Sequence, residues 1–172
     1  VLAIPLLFLV YTFQAIRWRL LMAANGFAVP LGRVLRIVWA GAFFNQVLPG
    51  SVGGDVAKAL IVAQGEDRKA GVFGTVILDR IVGLATVLII AAVAVVPVVD
   101  RAELRPVLWL ILALLAGGAV GAFLYFSRAA SRLKDRLPFR GAVGEVDGVL
   151  KTMRHAPRTI LEAVGLSAAG QA

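Results

Sequence analysis

The stretch from Phe43 to Lys58 constrains this chain more than any other. It interrupts an apolar region with residues that break a helix and residues that lipid penalises. Pro49 has no backbone donor and disfavours helix at Leu48. Gly50, Gly53 and Gly54 loosen the backbone. Asn45, Gln46, Asp55 and Lys58 bring polar groups into the same sixteen residues. Non-helical backbone survives at membrane depth only where protein buries it or where it lines a wet cavity. The stretch therefore reads as a lined site, and the rest of the chain as its housing.

Composition secures the membrane setting. Of the 172 residues, 60% are hydrophobic and only 16% charged, with a mean hydropathy of +0.88. A soluble domain has roughly half apolar residues and about a quarter charged. The expected fold class is an all-α, polytopic integral membrane protein. The net charge of +8 fits cytoplasmic loops rich in Lys and Arg better than nucleic-acid binding. With no cysteine, disulfides and thiolate metal sites are excluded within the chain. The single histidine, His155, lies in a basic loop and makes no metal cluster. No metal or cofactor is expected. The chain starts apolar at Val1 without a positive n-region, so no signal peptide is assigned. Residues 1–172 read as one membrane domain, cut at both ends from a longer protein.

Val1 to Ile16 reads as the end of a helix, and Arg17-Trp18-Arg19 as a headgroup boundary that anchors it. Asn25-Gly26 signals a turn, and Pro30 suits the first turn of the next helix. The apolar arms Ile37–Leu48 and Val56–Ala63 are each too short for about 30 Å of hydrocarbon. They form either a re-entrant hairpin around the Pro-Gly break or one long broken helix that crosses. Gly71 to Val99 is a long apolar run carrying Asp79 and Arg80, and Val107 to Phe126 is a second span. Gly117 and Gly121 permit close helix contact, read first as packing within one subunit, with a homo-oligomer left open. Residues 127–158 read as a cytoplasmic basic loop with an amphipathic helix. Its stripe of Val143, Val146, Leu150 and Met153 faces a surface or a partner. Arg158 precedes what reads as a further span.

Charge distribution favours the hairpin. If the central region is re-entrant, fourteen cationic residues share one side and only Arg101 and Arg105 oppose them; if it crosses, the split is ten to six. The positive-inside rule selects the first arrangement. The expectation is a multi-pass protein of the cell membrane, with basic loops cytoplasmic and the site dipping in from that side.

At the break, Asp55 suits the first turn of a short helix, where it can accept bonds from free N–H groups. Lys58, three residues later, shares its face. Free N–H groups beside Lys58 make a natural phosphate site. Asp79 and Arg80 point about 100° apart on a helix, so each needs its own partner; Asp55 with Arg80 is one natural pairing. Charges inside a membrane mark functional sites by default. The opposing reading is a structural salt bridge that holds the hairpin. Asn45 either binds substrate or ties the hairpin.

Phe44-Asn45, Leu48-Pro49-Gly50, Gly53-Gly54-Asp55 with Lys58, and then Asp79-Arg80 resemble the membrane region of lysylphosphatidylglycerol synthases. That region also stands alone as a flippase-like family. Arg17 to Leu21 and Asn25-Gly26 fit the same pattern. The resemblance implies movement of a phospholipid or other lipid with an anionic headgroup between leaflets. It implies substrate binding by Asn45, Pro49, Gly50, Gly53, Gly54, Asp55, Lys58, Asp79 and Arg80. The family usually carries arginine where this chain has Lys58, which keeps the charge but not the bidentate fork. The synthases transfer an aminoacyl group with a separate soluble domain that this chain does not resemble. No nucleophile–base set appears, so catalytic residues are not expected. Membrane lipids are the expected partners. The competing reading is a non-transporting anchor or partner subunit of a lipid-modifying or glycosyl-transfer enzyme.

Overall fold

The computed structural model describes residues 3–47, 53–95, 105–125 and 140–171. They form seven helices and, among the described residues, no strand: α1 (Ala3–Ala24), α2 (Leu31–Val47), α3 (Gly53–Ala63), α4 (Lys69–Val95), α5 (Arg105–Tyr125), α6 (Arg140–Arg154) and α7 (Pro157–Ala169). Two of them, Ile4–Ala24 and Lys69–Val95, are long and apolar enough to cross a membrane.

The chain divides into two compact units, Val1–Gly83 with Gly141–Ala172, and Leu84–Arg140. The first unit holds the site. It is α1, α2, α3, the first half of α4, α6 and α7. The second holds the remainder of α4 and α5.

Local signals set the helix ends. Helix α1 stops at a Schellman turn: Gly26 takes a left-handed φ of 85°, Phe27 N–H donates to Met22 O, and Gly26 N–H donates to Ala23 O, both at 3.0 Å. Only a residue without Cβ adopts that φ cheaply. The Asn25 side chain donates to Leu21 O, and buried Phe27 supplies the apolar contact that accompanies such a turn. Pro30 then leads into α2, its carbonyl accepting from Arg33 and Val34.

Two apolar cores hold the first unit. One joins α1, α2, α3 and α4 through Trp18, Met22, Val34, Val38, Ala59, Val62 and Val72. The other joins α1, α4, α6 and α7 through Leu21, Leu78, Val82, Val149, Met153 and Ala163. Helices α1 and α4 belong to both, so they form the axis around which the others pack. The outside is apolar too. Ile4, Phe43, Val47, Leu60, Ile77 and Ile81 are exposed, whereas Arg17, Asp55, Lys58 and Asp79 are buried. Charge inside and large apolar side chains outside reverse the distribution of a soluble protein.

Two elements differ from the sequence expectation. Helix α1 does not end at Ile16; it runs two turns further, carrying Arg17 and Trp18 into the bundle. The stripe on α6 faces its own chain: Met153 is buried and Leu150 packs against the same cluster from α1, α4 and α7, beside buried Val149. Helix α7 packs on α1, where Gly170 approaches Phe13.

Candidate functional site

Helices α2 and α3 run antiparallel and touch at two glycines. A Cβ on Gly54 would lie 2.0 Å from Gly41 O, and one on Gly41 would lie 2.7 Å from Lys58 Cγ. No side chain fits at either position. Asn45 Oδ1 accepts the Gly54 N–H at 2.8 Å, so Asn45 ties the two arms and takes one of the free donors at the start of α3. Gly53 is the first residue of α3. Pro49 and Gly50 lie outside the described residues.

Asp55 sits in the first turn of α3 and faces two cations. Arg80 Nε donates to its Oδ2. Lys58 Nζ lies 2.7 Å from Oδ1, a buried ion pair one helical turn along α3. The two cations differ in access: the Lys58 side chain is 6% exposed and that of Arg80 48%.

At the neighbouring residue of α4 the pattern is different. Asp79 does not pair with Arg80. Its carboxylate receives Arg17 through both oxygens, Nε to Oδ1 at 2.7 Å and Nη2 to Oδ2 at 3.0 Å. Arg17 also donates to Ser167 Oγ on α7 at 2.7 Å. Its guanidinium packs against Gly83, where a Cβ would come within 3.3 Å. Arg17 is thus an interior residue, not a boundary anchor, and it leaves the count of loop charges at thirteen against two. Trp18, read as its companion at the interface, is 1% exposed. It donates from Nε1 to Thr75 Oγ1 at 3.2 Å, and the Lys58 ammonium stands 5.6 Å from its ring centre.

The structure therefore brings together Asn45, Gly54, Asp55, Lys58 and Arg80, with Asp79 beside them in a separate pair. Sequence reasoning missed Arg17, Trp18, Gly41, Thr75 and Ser167. The first two were detectable, because the Asn25-Gly26 turn already put the end of α1 beyond them. Gly41 lies four residues before Asn45, one turn up the same face. Nothing local marks Ser167. Among the described residues no cluster of three His, Cys, Asp or Glu forms a metal site.

Interior charge pairs in an apolar-surfaced helical bundle define a helical membrane protein. The chain belongs to the lysylphosphatidylglycerol synthase TM region family, whose model matches residues 1–172, the entire chain. No curated protein and no solved structure matches it.

Proposed function

We propose that this chain moves a lipid with an anionic headgroup between leaflets, as a multi-pass protein of the cell membrane. The observation that carries this reading is the Asp55–Lys58–Arg80 cluster, with Arg80 half exposed in a bundle whose outside is apolar. A headgroup phosphate needs a cation it can reach, and a guanidinium fork matches its oxygens. Family membership supports the same direction.

Helices α2 and α3 act in this reading as a re-entrant hairpin. At 1.5 Å per residue they measure about 25 and 16 Å, both short of about 30 Å of hydrocarbon. Their outer ends meet: Arg68 donates to Asn25 O at 2.8 Å and stacks on Phe27. A full crossing would put these two loops on opposite sides of the membrane. The basic 127–158 segment then lies on the same cytoplasmic side.

Leaflet exchange by the reconstituted protein tests the reading. Arg80→Ala and Lys58→Ala are expected to slow the exchange of fluorescent phosphatidylglycerol strongly; wild-type rates in both would overturn it. Single cysteines at Ala28 and Gln64 are expected to label from the cytoplasm, and one at Glu103 from outside. A second reading, an anchor or partner subunit for a lipid-modifying enzyme, draws on α5, where Gly117, Gly118 and Gly121 have open space beside them. A co-purifying enzyme whose activity ignores Asp55→Asn would favour it.

A further inference from the structure

Asp55 holds two cations, and they differ sharply in their access to a ligand. Lys58 is fenced in: its stem lies against Gly41, its ammonium stands between Asp55 and the face of Trp18, and Thr75 fixes Trp18 in turn. Arg80 comes from a different helix and keeps about half of its side chain exposed. Stripping a buried carboxylate of every cation is costly, whereas one that retains a close ammonium stays compensated.

We propose that the Asp55–Arg80 pair is an internal competitor for the transported anion. A phosphate-bearing headgroup takes the Arg80 guanidinium away from Asp55, while Lys58 stays and keeps Asp55 compensated. This rests on reading the chain as a mover of anionic lipid. It divides the labour among three residues. Arg80 contacts the phosphate. Asp55 sets how weakly that phosphate is held, by reclaiming Arg80 when the lipid leaves. Lys58 touches no lipid and is a positioning residue. A carrier that must let go cannot offer a full-strength arginine–phosphate contact; a carboxylate that competes for the same fork lowers the affinity. It also explains why two cations are spent on one acid.

Binding of short-chain phosphatidylglycerol to the detergent-purified chain tests this, with inorganic phosphate as a parallel probe. Asp55→Asn is expected to bind phosphatidylglycerol roughly two- to fivefold more tightly than wild type, the order expected for releasing a half-exposed ion pair, and to exchange lipid between leaflets more slowly. Adding Arg80→Gln to Asp55→Asn is expected to remove the binding. Lys58→Met is expected to weaken binding, because Arg80 then becomes the cation that compensates Asp55, and restoring the balance with Asp55→Asn is expected to rescue it. That rescue separates positioning from structural damage. Should Asp55→Asn alone fail to fold, the Asp55→Asn/Lys58→Met double variant removes the pair as a neutral unit and carries the same expectation of tighter binding. Weaker or unchanged binding in a folded variant lacking Asp55 overturns the exchange while leaving lipid transport standing. Tighter binding of phosphate but not of phosphatidylglycerol keeps the exchange and removes the lipid. If wild type neither binds phosphatidylglycerol nor exchanges it, both readings fall.

Discussion

Two ion-pair centres lie a single residue apart on α4, and they are built to opposite specifications. Arg17 and Asp79 form a closed centre: both residues are buried, the carboxylate is met through both oxygens, and Ser167 takes a further guanidinium N–H. Asp55, Lys58 and Arg80 form an open one: a single carboxylate is shared by two cations, and one of these is half exposed. Both sit in the same apolar bundle and use the same chemistry. The difference is whether any member can exchange its partner without leaving a bare charge behind. The closed centre cannot, so it holds helices together. The open centre can, and the proposed lipid exchange draws on that difference.

Four substitutions separate the two centres. Arg17→Ala should have the largest effect on stability. It leaves Asp79 buried without its cation, a loss of about 3–5 kcal/mol, seen as a collapse of thermal stability in detergent. Survival of Arg17→Ala at wild-type stability would erase the distinction. Gly54→Ala comes next. Its Cβ meets a backbone oxygen that cannot step aside, at a cost of about 1–3 kcal/mol or more for overpacking, and it should also slow lipid exchange by forcing α2 from α3. Ser167→Ala removes one donor's partner from Arg17 and should cost about 1 kcal/mol, with lipid exchange intact. Arg80→Gln should cost least in stability, about 1 kcal/mol or less for a half-exposed pair, while abolishing exchange. A variant that is stable yet inactive at Arg80, set against one that is unstable at Arg17, would establish the contrast.

Much of the open centre was legible in the sequence because its signals are local. Asp55 and Lys58 stand one helical turn apart, and the Pro-Gly and Gly-Gly breaks mark the ends of short arms. The angular separation of Asp79 and Arg80 ruled out their pairing and pointed Arg80 towards Asp55, where it lies. The closed centre was not legible. Its members are 62 and 150 positions apart, and an arginine beside a tryptophan has the look of an interfacial anchor whether or not the helix continues past it. The stripe on α6 was misassigned for a related reason. An apolar face states that something covers it, and only packing states that the cover is Leu21, Leu78 and Val82.

Arg17 also bears on the order in which this protein is made. Synthesis reaches it in α1, but Asp79 emerges 62 residues later and Ser167 a further stretch on, 150 residues from Arg17. At roughly 5–20 residues per second, the guanidinium spends seconds in the nascent chain before its counter-ion exists, and longer before α7 arrives. During that interval α1 carries an uncompensated charge and has reason to stay near water or the insertion machinery. Its full set of bonds requires both α4 and α7. One buried arginine thus ties the finished packing of α1 to two helices made long after it.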